Sequence, residues 1–137
     1  MSYWIFQAVP ERYNLVEKLR ERSDENWFVT RYFDDIKAGD NVYFWQAGKA
    51  AGLYGWGIVL SPQPYATESG DYRAKVSYQA RFDPPILKQD IAQDSQLQML
   101  QILRTPQGTN FRVKEAEAIA INQLIRGAGF DSPPDPA

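Results

Sequence analysis

Lys37-Ala38-Gly39-Asp40-Asn41-Val42-Tyr43-Phe44-Trp45-Gln46 reads as a tight turn feeding a strand. Glycine supplies backbone freedom and aspartate a local acceptor for the turn, and the β-branched and aromatic residues that follow favour a pleated, buried strand. Side chains alternate across a strand, so Trp45 faces opposite Phe44. Upstream lies the brief run Trp27 to Tyr32, followed by Asp34-Asp35. Downstream, the small-residue turn Ala47 to Ala51 leads into a strand over Leu53 to Leu60, which carries Gly55 and Gly57 around Trp56. Glycines two apart in a strand mark a tight barrel bend or a close approach of another backbone.

The rest of the chain fits around this centre. Tyr3 to Ala8 alternates as a core strand, and Pro10 breaks it. Asn14 with Glu17 three residues on resembles a capping box, so a short helix is predicted to end near Arg22, with the charged stretch Glu21 to Glu25 as its solvated end. Ser61 to Gly70 reads as a loop. From Tyr72 to Phe82 the alternation is complete, with Arg73, Lys75 and Arg81 on the polar face, and Pro84-Pro85 is predicted to end the strand. Leu97, Met99, Leu100 and Leu103 predict a helix from about Asp94 to Arg104, stopped by Pro106-Gln107-Gly108. An extended piece over Thr109 to Val113 then precedes a helix over Lys114 to Arg126, with Gly127 at its C-terminal cap. About five to six strands, mostly not separated by helices, with helices near both ends, read as α+β. Residues 1–130 form one domain, and residues 131–137 form a disordered or extended tail rich in proline.

Composition narrows the chemistry. The chain has 137 residues and neither cysteine nor histidine, which removes thiol nucleophiles, catalytic triads and the usual zinc ligands. No metal or cofactor is expected. The formal net charge is −2, so nucleic-acid binding through phosphates alone is disfavoured and a base pocket with a local basic patch is the form such binding would take. The apolar runs are too short for a membrane helix and the N-terminus lacks a secretory pattern, which reads as a cytoplasmic protein with no membrane partner. Carboxylate-only catalysis or a magnesium site on Asp and Glu stays formally open, and pairs such as Asp34-Asp35 or Glu115-Glu117 hint at it, but nothing else supports it, so the chain is read as a non-enzyme.

The ordered set Tyr3-Trp4-Ile5-Phe6-Gln7, the proline after it, Trp27-Phe28-Val29-Thr30-Arg31-Tyr32, Lys37 to Trp45, the strand through Gly55 and Gly57, and Thr109-Asn110-Phe111 before a closing helix resembles the EVE family of the PUA-like superfamily, related to YTH domains. Within it, the chain is most similar to EVE domains of modification-dependent restriction systems. Arg112 and Lys114 depart from the family pattern and leave the last helix without an obvious side-chain cap. The resemblance implies a small PUA-like β-barrel. It also implies a reader of a modified base, of the 5-methylcytosine or 5-hydroxymethylcytosine type, flipped from DNA into an aromatic pocket. No nuclease or ATPase motif is present, so the effector, such as a nuclease, would be a separate protein. An RNA-binding module for a modified base and a receptor for a small molecule or nucleoside stay open as alternatives.

The same resemblance puts the pocket where the Trp27 to Tyr32 segment, the Val42 to Trp45 strand and the Thr109 to Phe111 segment meet. Trp27, Tyr32, Trp45 and Phe111 are the wall candidates, and Gln7, Thr30, Arg31 and Asn110 the polar edge, since a base needs flat apolar faces and a few donors and acceptors at its rim. Each has a plainer reading: core for the tryptophans, a surface pair with Asp34 or Asp35 for Arg31, a turn for Asn110. Trp4, Phe6, Phe44 and Trp56 are read as core. Arg73, Lys75 and Arg81 are either a solvated strand face or contacts to flanking phosphates.

Overall fold

A computed structural model describes residues 1–22 and 24–137. Residue 23, inside the charged 21–25 run, lies outside the described residues. The described residues build β1 (Tyr3–Ala8), α1 (Leu15–Glu21), β2 (Glu25–Val29), β3 (Asn41–Gln46), β4 (Gly52–Val59), β5 (Tyr65–Ala66), β6 (Tyr72–Leu87), α2 (Lys88–Gln93), α3 (Gln101–Arg104), β7 (Asn110–Val113) and α4 (Glu115–Gly127). They form a seven-stranded sheet in the order β2-β6-β4-β3-β1-β7, with β5 added to β6. Only β1 and β3 run parallel; the other pairs are antiparallel. The sheet curls into a half-barrel whose main path ends at β2 on one side and β7 on the other.

The opening turn works as its residues predict and does more. Gly39 takes φ +90°, where a side chain would be strained. The buried Asp40 carboxylate accepts from Lys37 N and Trp4 Nε1, both at 2.9 Å, and from Ser2 N at 2.9 Å. One side chain thus shapes the turn and ties it to β1, the strand's parallel neighbour.

Both faces of the central strands are covered. Trp4, Phe6, Val42 and Phe44 join Trp27, Val29, Ala74, Val76 and Tyr78 inside the curl, closed at one end by Leu15 and Leu19 of α1. Tyr3, Ile5, Tyr43, Trp45 and Trp56 point the other way, against Ile91, Ile102, Ala118, Ile121 and Ile125 of the later helices. Trp4, Phe6, Phe44 and Trp56 are all buried, in keeping with the core reading.

Two glycines are demanded by sheet contact. A Cβ on Gly55 would strike the Ala80 carbonyl and come within 2.7 Å of Leu19 Cδ2; one on Gly57 would strike the Ser77 carbonyl and come within 2.9 Å of Phe44 Cε2. The close backbone approach expected from their spacing is therefore present.

Three expectations are corrected. β6 continues through Pro84-Pro85 to Leu87, because Arg81 pairs with Gly55 and Ile86 with Leu53, leaving residues 82–85 opposite Tyr54 alone. Prolines in such a bulge owe no N–H to the ladder. The single helix over Asp94 to Arg104 is instead α2 and α3 with turns between them. Asp94 Oδ1 accepts Gln96 N at 2.8 Å and thereby favours a turn over continued helix, while Leu97, Leu100 and Ile102 reach the core from successive tight turns. Met99, counted with the apolar face, is 62% exposed. A short strand, β5, interrupts the predicted 61–70 loop.

Asn14 Oδ1 accepts Glu17 N at 3.2 Å, the expected cap of α1. At α4, Glu117 reaches back to Lys114 N at 2.9 Å, so a carboxylate three residues in supplies the cap that the N-cap side chain does not. The tail, residues 131–137, lies extended along the domain. Trp56 Nε1 donates to the Asp131 carbonyl at 3.0 Å, Asn122 Nδ2 donates to Asp135 Oδ1 at 2.9 Å, and Tyr3 donates its hydroxyl to the Pro134 carbonyl. Among the described residues no helix is long and apolar enough to cross a membrane.

Candidate functional site

A cleft of about 240 Å³ opens where β2 and the β1–β7 pair part company. Its lining comes from the end of β1 and the turn after it (Gln7, Ala8, Val9, Arg12, Tyr13), from β2 (Glu25 to Phe28), and from Arg73 and Thr109. The turn is local chemistry: Pro10 stops β1, and Arg12 N and Tyr13 N both donate to the Val9 carbonyl, at 2.9 and 3.0 Å. That fold-back brings the Tyr13 ring edge-on to Trp27, with centroids 5.1 Å apart.

Trp27 is the fixed wall. It is 6% exposed, packed on Phe6 and Phe44 with centroids 6.1 and 5.2 Å away, and its Nε1 donates to the Tyr78 hydroxyl at 2.7 Å. The Tyr78 hydroxyl also shares a hydrogen bond with that of Tyr13. Burial pushes the Tyr78 phenol up to about 12 against the opposing effect of these hydrogen bonds, and burial and then the Tyr78 contact push the Tyr13 phenol above the tyrosine range. Both therefore stay neutral at physiological pH, and the triad holds the Trp27 ring in one orientation.

A seam closure frames the cleft. Asn110, fully buried, accepts Thr30 N at its Oδ1 (2.8 Å) and donates from Nδ2 to the Phe28 carbonyl (3.1 Å). Arg31 Nε donates to the Asn110 carbonyl at 2.7 Å. A side-chain amide here substitutes for the backbone ladder that the two edge strands lack. Since the Phe28 carbonyl points to the seam, alternation places the main-chain N–H and C=O of Asn26 and Phe28 on that free edge, beside the cleft. On the opposite lip, Gln7 Nε2 donates to the carbonyls of Pro106 and Gly108, at 2.9 and 2.8 Å, and so fixes the loop before β7.

The expected site residues thus divide. Trp27 and Gln7 meet at the cleft with Arg73, while Thr30, Arg31 and Asn110 form the seam beside it. Tyr32 takes φ +62°, which turns it away to Gln101 and Arg112; its hydroxyl bonds with the Gln101 side-chain amide at 2.9 Å. Trp45 lies on the far side of Gln7, lining a smaller hollow of about 140 Å³ with Ile102 and Pro106. Phe111 is fully buried under the Arg31 guanidinium, 5.1 Å from its ring centroid, and does not line the cleft. Arg31 Nη2 is buried without a hydrogen-bond partner among the described residues. Of the basic stripe, Arg73 reaches the cleft and pairs with Asp71 at 3.5 Å on its own strand's flank, Lys75 is exposed on the same face, and Arg81 pairs with Asp83 at 3.1 Å elsewhere. Sequence reasoning missed Tyr13, Arg12 and Asn26. The signal for the first two was Pro10, which makes the chain fold back at the end of β1. Among the described residues no group of His, Cys, Asp and Glu side chains is placed to hold a metal.

No curated protein matches the sequence. The backbone is similar to that of a protein from Agrobacterium tumefaciens, 15% identical, covering 100% of both chains with a TM-score of 0.78. It is also similar to a hypothetical protein from Leishmania major, 17% identical over 90% of this chain and 94% of that one, TM-score 0.76. A third is human THYN1 protein in complex with 5-methylcytosine containing DNA, 13% identical over 90% of this chain and 97% of that one, TM-score 0.73. Identities this low speak for the fold, a PUA-like half-barrel. The family is settled by the sequence model of the EVE domain, which matches residues 2–124, and the chain accordingly belongs to the EVE domain family.

Proposed function

We propose that the chain is a binding module for DNA carrying a modified cytosine, of the 5-methylcytosine or 5-hydroxymethylcytosine type, and that the base is flipped into the Trp27 cleft. The observation that carries this reading is the composition of the cleft. Trp27, Tyr13 and Val9 offer apolar and aromatic surface, with the Gln7 side-chain oxygen, Thr109 and the main-chain N–H groups on the Asn26 and Phe28 edge as the polar groups around it. A nucleobase needs that combination of flat faces and a polar rim. The structural similarity to human THYN1, seen with 5-methylcytosine containing DNA, favours DNA over RNA as the ligand.

Flipping costs a few kcal/mol, and stacking in the cleft offsets it at about 1–3 kcal/mol per base. A buried methyl group adds about 0.8 kcal/mol, roughly a fourfold preference over plain cytosine. Arg12 and Arg73 stand at the cleft and would meet the flanking phosphates. With no histidine or cysteine, with Asp35 paired to Arg112 at 3.0 Å and Glu117 spent on capping α4, the module binds without catalysing, and any cleavage belongs to a separate effector such as a nuclease.

The test is direct binding to matched duplexes with cytosine, 5-methylcytosine or 5-hydroxymethylcytosine at one position, and to the corresponding RNA. Tighter binding of a modified DNA, about fourfold or more, is expected. Equal affinity for modified and plain DNA overturns the reading, and a preference for modified RNA replaces DNA with RNA as the ligand.

A further inference from the structure

Beside the cleft, three side chains line up across three strands. Phe28 of β2 pairs with Arg73 of β6, and Arg73 pairs with Tyr65 of β5, so all three stand on one face of the sheet. The Arg73 guanidinium lies 3.7 Å from the Phe28 ring centroid, and its Nη1 reaches the Asn26 carbonyl at 3.4 Å. Tyr65 donates its hydroxyl to the Asn26 side-chain oxygen, which holds its ring beside the same strand. Phe28 is 47% exposed and Tyr65 38%. Lys75 is exposed on the same face, paired with Asn26. Arg73 Nε is buried without a hydrogen-bond partner among the described residues.

Neighbouring strands are about 4.8 Å apart, so the row spans roughly 10 Å outward from the cleft. Phe28 and Arg73 belong to both: they line the cleft and begin the row. Flat aromatic and guanidinium surfaces with cations among them are what unstacked bases and their phosphates bind. Paired bases in a duplex are already stacked on one another and leave such a row idle.

We propose that the Phe28-Arg73-Tyr65 row binds the nucleotide next to the modified base, in a DNA strand that is locally unpaired. The neighbouring base stacks on the row while its phosphate meets Arg73 and Lys75. The preferred substrate of the site is then a modified cytosine in a single-stranded stretch. This inference rests on the reading of the cleft as a base pocket.

Tyr65 does not line the cleft, so it separates the two ideas. Binding is measured for a single-stranded oligonucleotide with one 5-methylcytosine, for its duplex, for the plain-cytosine strand, and for strands with an abasic site on either side of the modified base. Wild type, Tyr65→Ala and Tyr65→Phe are compared. The single strand is expected to bind more tightly than the duplex. Tyr65→Ala should lose about fivefold or more on the intact strand, and Tyr65→Phe should retain binding. On one of the two abasic strands the wild type should lose as much, and Tyr65→Ala should add nothing further. An unchanged Tyr65→Ala, or an equal loss on every strand, overturns the row while a surviving preference for 5-methylcytosine keeps the cleft reading. Loss of that preference in the wild type itself removes both.

Discussion

Asn110 and Thr30 sit on opposite edges of the curled sheet and are joined by a 2.8 Å hydrogen bond from the Thr30 main-chain N–H to the Asn110 side-chain oxygen. The other end of the same amide donates to Phe28, so the carboxamide satisfies one acceptor within β2 and one donor just past its end. Asn110→Ala strands both. At about 1–3 kcal/mol for each buried unpaired group, we expect a loss of about 2–4 kcal/mol in denaturant unfolding, accompanied by weaker binding of modified DNA. Asn110→Asp keeps the acceptor but sets a carboxylate oxygen against the Phe28 carbonyl, and should be no better.

Trp27 and Trp45 are distinguished by where they face. Trp27 borders the cleft and donates to Tyr78; Trp45 borders a different hollow beyond Gln7. Trp45→Ala is expected to lower stability by about 3–5 kcal/mol, as for other buried aromatics, and to leave the ratio of modified to plain DNA affinity intact. Tyr13→Ala is expected to reduce that ratio towards one, measured by the same titrations.

Gly55→Ala tests the packing of α1 on the sheet. The added methyl collides with the Ala80 carbonyl, which is backbone and cannot rotate away, as well as with Leu19. A loss of about 3 kcal/mol or more in unfolding free energy is expected.

The C-terminal tail should respond to acid. Hydrogen bonds from Asn122 and then Arg126 hold the Asp135 carboxyl below the ordinary carboxylate range. A depressed folded value means that its contribution is present above the unfolded pKa, about 3.9, and is lost as pH falls through the folded value. Amide exchange or proteolysis of residues 131–137 should therefore rise only in strong acid, below about pH 4, and Asp135→Asn should show raised exposure already at neutral pH.

Salt dependence should be shallow. With Arg12, Arg73 and Lys75 as the cations nearest the cleft, two to three phosphates are neutralised. The slope of log K against log salt is then about −2 to −3 for duplex DNA, and Lys75→Ala should reduce it by about one.

Much of the fold was legible because its devices are local. The Gly39-Asp40 turn, the Asn14 cap, the alternation along β6 and the paired glycines of β4 each leave a mark within a few residues. The prolines misled because a bulge releases them from the ladder, which depends on the partner strand and not on β6 itself. The segment over Asp94 to Arg104 misled because leucines three apart serve tight turns as well as a helix. The site was half legible for a related reason. Trp27 and Gln7 were found by type, but Tyr32 was sent elsewhere by one left-handed backbone angle, and Phe111 by strand alternation that points it into the core. Tyr13 entered through a fold-back whose destination only the tertiary structure reveals.

Among the described residues the sheet does not close on itself with backbone bonds. A bare strand border is a hazard, since it recruits further strands and leads to aggregation. Here the hazard is contained by a single amide at one end of β2 and by an arginine lying across the middle of it. What stays uncovered between them is a short length of main chain too brief to recruit another strand, yet long enough to read the edge of one flat molecule.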